Sequence, residues 1–383
     1  MRGDPEIDRR ANPSLFEIAR EWGRIGCTGF GGPPAHIALL RELCVARQQW
    51  LTSIEFERAI AATNLLPGPA STQLAIYCAW RLRGTRGALL GGLCFILPGL
   101  AAILVLAVAF LSGSPPSWLL GAGAGAGAAV AAVAVRAGIG VAGPIWAGAS
   151  PRRRLYVLAY GLIGAFGAAF AGPRLVLVLL ACGLLELARR RVRLAAMPLL
   201  AVAAPGGALA LAWTALKVGA LAFGGGFVIV PLMQSDAVNT YHWMTHAQFL
   251  NAVALGQVTP GPVTQTIAVV GYAAGGLPGG LFAALIAFSP SFSFILLGAA
   301  RFERLLANGR VLAFLAGAAP AAAGAIIGAA IPLTSALSES WQYAVLAGAA
   351  IALLALRRGV VGTLLFAGCV GVVASLLGAP VPH

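Results

Sequence analysis

The chain has 383 residues, of which 59% are hydrophobic and only 10% are charged, and its formal net charge is +14. Soluble globular proteins carry about 25% charged residues, so the composition excludes that class. The arginines stand in clusters at the ends of apolar segments, which is typical of cytoplasmic loops and not of a surface that binds nucleic acid. The lipid bilayer is therefore the first expected partner.

Several apolar runs approach the roughly 20 residues that a membrane-spanning helix needs. A polar tail (residues 1–13) precedes a partly apolar segment from Leu15 to Phe30, and Trp50 is predicted to open the next helix. An arm from Ala70 to about Leu82 follows. Further spans of the first half are predicted near residues 87–111, 118–138, 155–171 and 173–188. The sequence thus predicts an all-α polytopic membrane protein.

The chain also repeats itself. A shift of 193 positions aligns the front portions of two halves without gaps, and toward the end the shift becomes 187. An internal duplication explains so many ordered matches. The matches include Phe30-Gly31-Gly32 with Phe223-Gly224-Gly225, Trp50 with Trp243, and Pro67-Gly68-Pro69 with Pro260-Gly261-Pro262. We predict repeats at residues 14–193 and 208–378, a linker at 194–207 and a tail at 379–383.

Arginine placement predicts the orientation of the two halves. Arg81, Arg83 and Arg86 mark an inner loop of the first half, whereas the matching loop of the second half, residues 275–280, is uncharged. Because cytoplasmic loops are rich in arginine, the repeat is predicted to be inverted, with the C-terminus outside. The N-terminus is inside only if residues 194–207 cross the membrane.

Each half contains Pro-Gly-Pro within an apolar segment and a Phe-Gly-Gly turn before it. Proline and glycine break helices, and matched broken helices in two halves are typical of a transporter's binding site. Free backbone N–H groups at the helix starts would bind an anion, among them those of Gly31, Gly32, Gly68, Gly224, Gly225 and Gly261. Alternatively, these residues only bend packed helices, with their hydroxyls bonded back to the backbone. The candidate binding residues are Phe30, Gly31, Gly32, Asn64, Pro67, Gly68, Pro69, Ser71, Thr72, Phe223, Gly224, Gly225, Gln257, Thr259, Pro260, Gly261, Pro262, Thr264 and Gln265.

Two cations stand six residues before the Phe-Gly-Gly turns: Arg24 and Lys217, the only lysine of the chain. Charges inside a membrane are costly, and this pair suits a small divalent oxyanion. The alternative is that both side chains extend to the interface. Glu42 and Asp236 follow the turns and would act as proton carriers or as ion-pair partners. His36 would titrate near neutral pH. No metal or cofactor site is expected, because no metal-ligand spacing and no dinucleotide fingerprint occurs.

These motifs together resemble the chromate ion transporter (CHR) family, in its long two-domain form, over about residues 14–378. The resemblance is carried by Gly29-Phe30-Gly31-Gly32-Pro33-Pro34-Ala35-His36-Ile37, Trp50-Leu51, Leu66-Pro67-Gly68-Pro69-Ala70-Ser71, Phe223-Gly224-Gly225-Gly226-Phe227, Thr259-Pro260-Gly261-Pro262 and Pro290-Ser291-Phe292. The chain departs from the family's pattern at Asn64, at Gln234-Ser235-Asp236 and at Pro98-Gly99.

The resemblance implies export of chromate from the cytoplasm across a bacterial-type inner membrane, which gives chromate resistance. It also implies sulfate as a competitor or counter-substrate, and two oppositely oriented halves. Two rivals stay open: a transporter of sulfate or another anion on the same scaffold, and, against the motifs, an intramembrane enzyme. A homodimer is left open.

Overall fold

The computed structural model describes residues 13–111, 113, 115–190, 207–222, 227–299 and 308–382, and these ranges form helices without strands. The first half contains α1 (Leu15–Thr28), α2 (Pro33–Arg41), α3 (Ser53–Leu65), α4 (Ala70–Leu111), α5 (Ser117–Ala147), α6 (Pro151–Phe170) and α7 (Leu175–Arg189). The second contains α8 (Ala208–Leu221), α9 (Ile229–Gln234), α10 (His246–Val258), α11 (Thr266–Gly298), α12 (Gly309–Gly328), α13 (Ala330–Ser335), α14 (Ser340–Ala350) and α15 (Val360–Leu376). Most of the predicted tail and linker, residues 1–12 and 194–206, lies outside the described residues, as do Phe223, Gly224 and Gly225.

Four helical stretches of the described chain are long and apolar enough to cross a membrane: α4, α5, Val263–Gly298 and Gly309–Ser335. Large apolar side chains point away from the protein along them, as at Val105 (69% exposed) and Leu285 (70% exposed). Exposed apolar side chains in such numbers require a hydrocarbon surrounding. The prediction of an all-α membrane protein is confirmed.

The first Pro-Gly-Pro forms the tip of a re-entrant hairpin, which we call tip I (residues 66–69). α3 leads into tip I and the first arm of α4 leads out, until α4 kinks at Arg83 and Gly84. Arg81, at the end of the returning arm, donates to the Glu55 carboxylate at the start of α3 (2.6 Å). The two arms therefore begin and end on the same side. Each measures roughly 20 Å, which is shorter than the roughly 30 Å of hydrocarbon, so tip I lies within the membrane.

The start of α3 corrects one expected boundary. The helix begins at Ser53 and not at Trp50, because Thr52 forms a capping box with Glu55. The Thr52 hydroxyl accepts from the backbone N–H of Glu55, and the Glu55 carboxylate accepts from that of Thr52. This reciprocal pair satisfies two donors that the first turn leaves free.

The second half repeats the hairpin around tip II (residues 259–262). α10 leads in, a 3-10 turn at Val263–Gln265 and α11 lead out, and α11 kinks at Gly275 and Gly276. The kinks of the two halves are 192 positions apart, one fewer than the tips. The second copy is therefore one residue shorter after its tip. The predicted gapless register is wrong beyond Pro262, and the structure pairs Thr72 with Thr264 and Gln73 with Gln265.

The two halves are intertwined through their long helices. α5 packs antiparallel on α15, where Gly121 lies against Gly371 and the Ser375 hydroxyl donates to the Ser117 carbonyl (2.8 Å). α12 of the second half likewise packs on two helices of the first half, α6 and α7. Glycines at these crossings let the backbones approach closely.

The packing directions establish the inversion. A Cβ at Gly324 would meet the Gly161 carbonyl and one at Gly328 would meet that of Ala165, so α12 runs parallel to α6. A loop of only three residues joins α5 to α6, and consecutive spans so joined run in opposite directions. α5 therefore runs opposite to its repeat partner α12, which confirms the inverted repeat.

We expect Gly324→Leu to destabilise the protein by about 3 kcal/mol or more, because its Cβ would lie 1.8 Å from the carbonyl oxygen of Gly161 and backbone cannot yield easily. Thermal unfolding of the detergent-solubilised protein measures this. Gly140→Leu on α5 is the control, since nothing lies within 4 Å of its Cβ position. Equal melting temperatures of the two variants would contradict the described packing.

Candidate functional site

Tip I is held against the second half of the chain. Gly68 has φ +121°, a conformation that side chains disfavour. A Cβ there would lie 2.6 Å from Nε2 of Gln73, 3.1 Å from the carbonyl oxygen of Gly219 and 3.5 Å from the hydroxyl of Ser291. Gly219 belongs to α8 and Ser291 to α11. Glycine is therefore required at the tip by both backbone geometry and close packing.

Tip II is held against the first half in the corresponding way. Gly261 has φ +97°, and its N–H donates to the carbonyl oxygen of Gly29 (2.9 Å). The Gln265 amide donates to the carbonyl oxygen of Ile96 on α4 (3.0 Å). The Pro260 carbonyl lies so close to Gly99 that a Cβ there would be 2.0 Å away. Each tip is thus enclosed by the helices of the other half.

His36 connects the surroundings of both tips. Its Nε2 donates to the Gly29 carbonyl (2.9 Å), which also accepts from Gly261 of tip II. Its Nδ1 lies 3.2 Å from the hydroxyl of Ser71, in the first turn after tip I. Because a carbonyl can only accept, the neutral ring carries its hydrogen on Nε2 and accepts from Ser71. The side chain is fully buried, and its ring packs edge-on against Phe95.

Unpaired polar atoms concentrate at the tips. Among the described residues, six buried side-chain atoms lack a hydrogen-bond partner: Oγ1 of Thr72, Oε1 of Gln73, Nε2 of Gln257, Oγ1 of Thr264, Oε1 of Gln265 and Oγ of Ser291. All six belong to the residues flanking the tips or to Ser291 beside Gly68. Buried polar atoms in native proteins are nearly always paired, so this concentration indicates a ligand-binding site.

The alternative reading, that hydroxyls bond back to their own helices, applies to other threonines. Thr63, Thr259 and Thr266 donate to backbone carbonyls three or four residues earlier. Thr72 and Thr264 do not, although both are fully buried. The helices therefore satisfy some hydroxyls near the tips and leave the pair at matching positions free.

Several candidate residues lie elsewhere. Asn64 is exposed, unlike its buried repeat partner Gln257. Phe30 is 44% exposed in the turn that contains Gly31 and Gly32. One expectation is corrected: the N–H of Gly261 does not face a ligand, because it donates to Gly29.

The two predicted cations are engaged in ion pairs. Lys217 pairs with Asp236, whose carboxylate also accepts from the Thr214 hydroxyl (2.8 Å). A Cβ at Gly219, two residues after Lys217, would meet the Ala287 carbonyl of α11; two residues correspond to a turn of about 200°, so Lys217 points away from that face of α8. The expected ion-pair role of Asp236 is thus seen in the structure.

The first half has a corresponding but differently built pair. Arg24, half-exposed, pairs with the buried Glu21 (3.1 Å), and Arg47 pairs with the same carboxylate. Arg47 ends the π-helical segment Glu42–Arg47, which lies 193 positions before the π-helical segment Ser235–Thr240 that holds Asp236. Glu42 itself is exposed. Neither Arg24 nor Lys217 joins the unpaired atoms at the tips.

Sequence reasoning did not single out Ser291 and Glu21 as site or ion-pair residues. Ser291 lies in an apolar run, and only the position of Pro290, 192 residues after Pro98, marks it as part of the repeat. The one-residue gap after Pro262 pairs Gln73, which also follows its tip directly, with Gln265.

Two inverted helical halves with unpaired polar atoms on re-entrant tips define a membrane transporter of the inverted-repeat class. The chain belongs to the family described as Chromate transporter, whose model matches residues 16–187 and 209–372. This confirms the resemblance seen in the motifs.

Three curated relatives are similar over most of their length. The chromate transport protein of Cupriavidus metallidurans is 32% identical over 366 residues, covering 89% of this chain and 88% of the relative. That of Pseudomonas aeruginosa is 32% identical over 85% of this chain and 82% of its own, and the probable chromate transport protein of Synechococcus elongatus is 28% identical over 84% of each. Because these relatives are named as transport proteins, the alternative of an intramembrane enzyme is set aside. No solved structure matches the chain.

We expect Lys217→Met to cost about 3–5 kcal/mol, because it leaves the buried Asp236 charge without its partner. The double variant Lys217→Met, Asp236→Leu should recover most of that loss, since it removes both charges. Thermal unfolding in detergent gives the comparison. If the double variant is no more stable than Lys217→Met, the loss of stability does not come from an unpaired Asp236 carboxylate.

Proposed function

We propose that this protein exports chromate from the cytoplasm by alternating access, with the dianion bound between the two hairpin tips. The observation that carries the proposal is the set of unpaired, buried polar atoms at matching positions of tip I and tip II. The names of the relatives supply chromate as the substrate class. Inverted repeats carry their sites at such interfaces.

The tips suit a tetrahedral oxyanion through their helix starts. α4 begins directly after tip I and the helical run of α11 begins directly after tip II, so both positive dipole ends point at the site. The hydroxyls of Thr72, Thr264 and Ser291 can donate to anion oxygens without losing another bond. Nε2 of Gln257 adds a fourth unpaired donor. Backbone and side-chain donors of this kind replace the water around the oxygens.

The site binds charge with neutral groups. Lys217 is paired with Asp236, and Arg24 with Glu21, which Arg20 and Arg47 share, so each of the two predicted cations is engaged by an acid rather than by the unpaired atoms at the tips. The dianion is then held by dipoles and hydrogen bonds, from which it can be released. Expulsion of a dianion from a negative-inside cell is favoured by about 2.3 kcal/mol per charge per 100 mV, so the membrane potential can drive export.

The same chemistry fits sulfate, which has the same shape and charge. We therefore expect sulfate to compete with chromate for the site or to be exchanged against it. We place the protein in the inner membrane with its C-terminus outside, which the arginine-rich inner loops support.

The test is radiolabelled chromate uptake into everted membrane vesicles, which corresponds to export from cells. Thr72→Val and Thr264→Val should each lower uptake at limiting chromate about tenfold or more, because a hydrogen bond to a charged group is worth about 1.5–3 kcal/mol. Thr63→Val and Thr266→Val are matched controls: both residues are buried, but their hydroxyls bond to backbone. These controls should keep near-normal uptake at equal expression.

Excess sulfate should lower uptake by the wild type. If sulfate uptake is supported and chromate uptake is not, the substrate assignment fails and the scaffold's other anion is favoured. If the control variants lose as much uptake as Thr72→Val and Thr264→Val, the site is not at the tips.

A further inference from the structure

The unpaired atoms at the tips are of two chemical kinds. The hydroxyls can donate, but Oε1 of Gln73 and Oε1 of Gln265 can only accept. An acceptor cannot bind an oxygen of a dianion. The oxyanion therefore leaves these two buried oxygens unexplained.

The orientation of both amides is fixed by their other ends. Nε2 of Gln73 donates to the carbonyl oxygen of Pro67 (2.7 Å), and Nε2 of Gln265 donates to that of Ile96 (3.0 Å). Since a carbonyl oxygen only accepts, turning either amide over would set two acceptors against each other. Oε1 is consequently the free atom in both halves. Gln73 and Gln265 are 0% and 1% exposed, so bulk water cannot donate hydrogen bonds to their oxygens.

Backbone carbonyl oxygens at the ends of two helices are further acceptors beside the tips. α3 ends at Leu65 just before tip I, and α10 ends at Val258 just before tip II. The last carbonyls of a helix have no partner within it and carry the negative end of the dipole. Each hairpin tip thus presents a negative helix end beside a positive one.

We propose that the tips bind an alkali cation of the size of Na⁺ through Oε1 of Gln73 and Oε1 of Gln265, aided by carbonyls at the helix ends. Neutral oxygen ligands suit a monovalent hard cation better than a transition metal. No cluster of three acidic, histidine or cysteine side chains occurs in the part of the chain that the structure describes, so a site for a multivalent metal is not indicated. Broken-helix transporters bind Na⁺ with this kind of group.

A bound cation would sit beside the oxyanion site. The positive charge of the cation would compensate part of the dianion's charge. This consequence for transport rests on the proposed function, whereas cation binding itself does not.

Thermal unfolding of the purified protein, without chromate, tests the binding. We expect the melting temperature to be roughly 3–6 °C higher in NaCl than in N-methylglucamine chloride of equal concentration. Gln73→Met and Gln265→Met should each reduce this Na⁺-dependent shift, and the double variant should abolish it. No shift for the wild type in Na⁺, Li⁺ or K⁺ would overturn the proposal and assign the two oxygens to water.

Gln342→Met is the matched control. Gln342 is also buried, but its amide donates to the Ala124 carbonyl and accepts from the N–H groups of Ser338 and Glu339. Its loss should lower the melting temperature in both salts and leave the difference between them unchanged. Loss of the Na⁺ shift in this variant would show that any destabilising substitution removes the shift, which would contradict the proposed ligands.

A second arm measures chromate uptake in Na⁺ and in N-methylglucamine. Na⁺-stimulated uptake that is lost in Gln73→Met and Gln265→Met supports coupling of the two ions. A thermal shift in Na⁺ with no chromate uptake under any condition would leave the cation site supported and contradict the oxyanion assignment alone.

Discussion

Unwound backbone inside a membrane must find its hydrogen bonds within the protein, and the two hairpin tips are built around this constraint. Tip II uses the Gly29 carbonyl, which accepts both from the Gly261 N–H and from His36. The same histidine contacts Ser71 beyond tip I. One buried imidazole therefore links the surroundings of both tips, and the position of each tip depends on residues of the opposite half.

Intertwining follows from the same requirement. A hairpin of two short arms buries too little surface to be stable alone, so it needs helices around it. Because tip I packs on α8 and α11 and tip II packs on α4, the halves cannot separate without exposing the tips. The long helices repeat this exchange where α5 packs on α15 and α12 packs on α6. The two halves therefore form one packed unit rather than two separate domains.

The sequence predicts the parts of the site that depend on local backbone chemistry. Pro-Gly-Pro ends a helix, so the duplicated motif located both tips, and the arginine bias of the loops predicted the inverted halves. The sequence offered Asp236 as a proton carrier or as an ion-pair partner of the cations without deciding between the two, because the contact with Lys217 depends on how α8 packs against a distant π-helical segment. Ser291 was missed for the same reason: an apolar run gives no sign of which face meets Gly68. The one-residue gap after Pro262 shows in the kinks at Gly84 and Gly276 and in the spacing of Pro98 and Pro290.

The ion pairs of the two halves show how the repeats have diverged around a common frame. Both tie the first helix of the half to its π-helical segment, through Glu21 and Arg47 in one half and Lys217 and Asp236 in the other. The signs are exchanged: the acid is on the helix in the first half and the base is on the helix in the second. An inverted repeat places these pairs on opposite sides of the midplane. Exchanged signs leave the connection between the first helix and the π-helical segment intact, so different side chains hold the same backbone frame in the two halves.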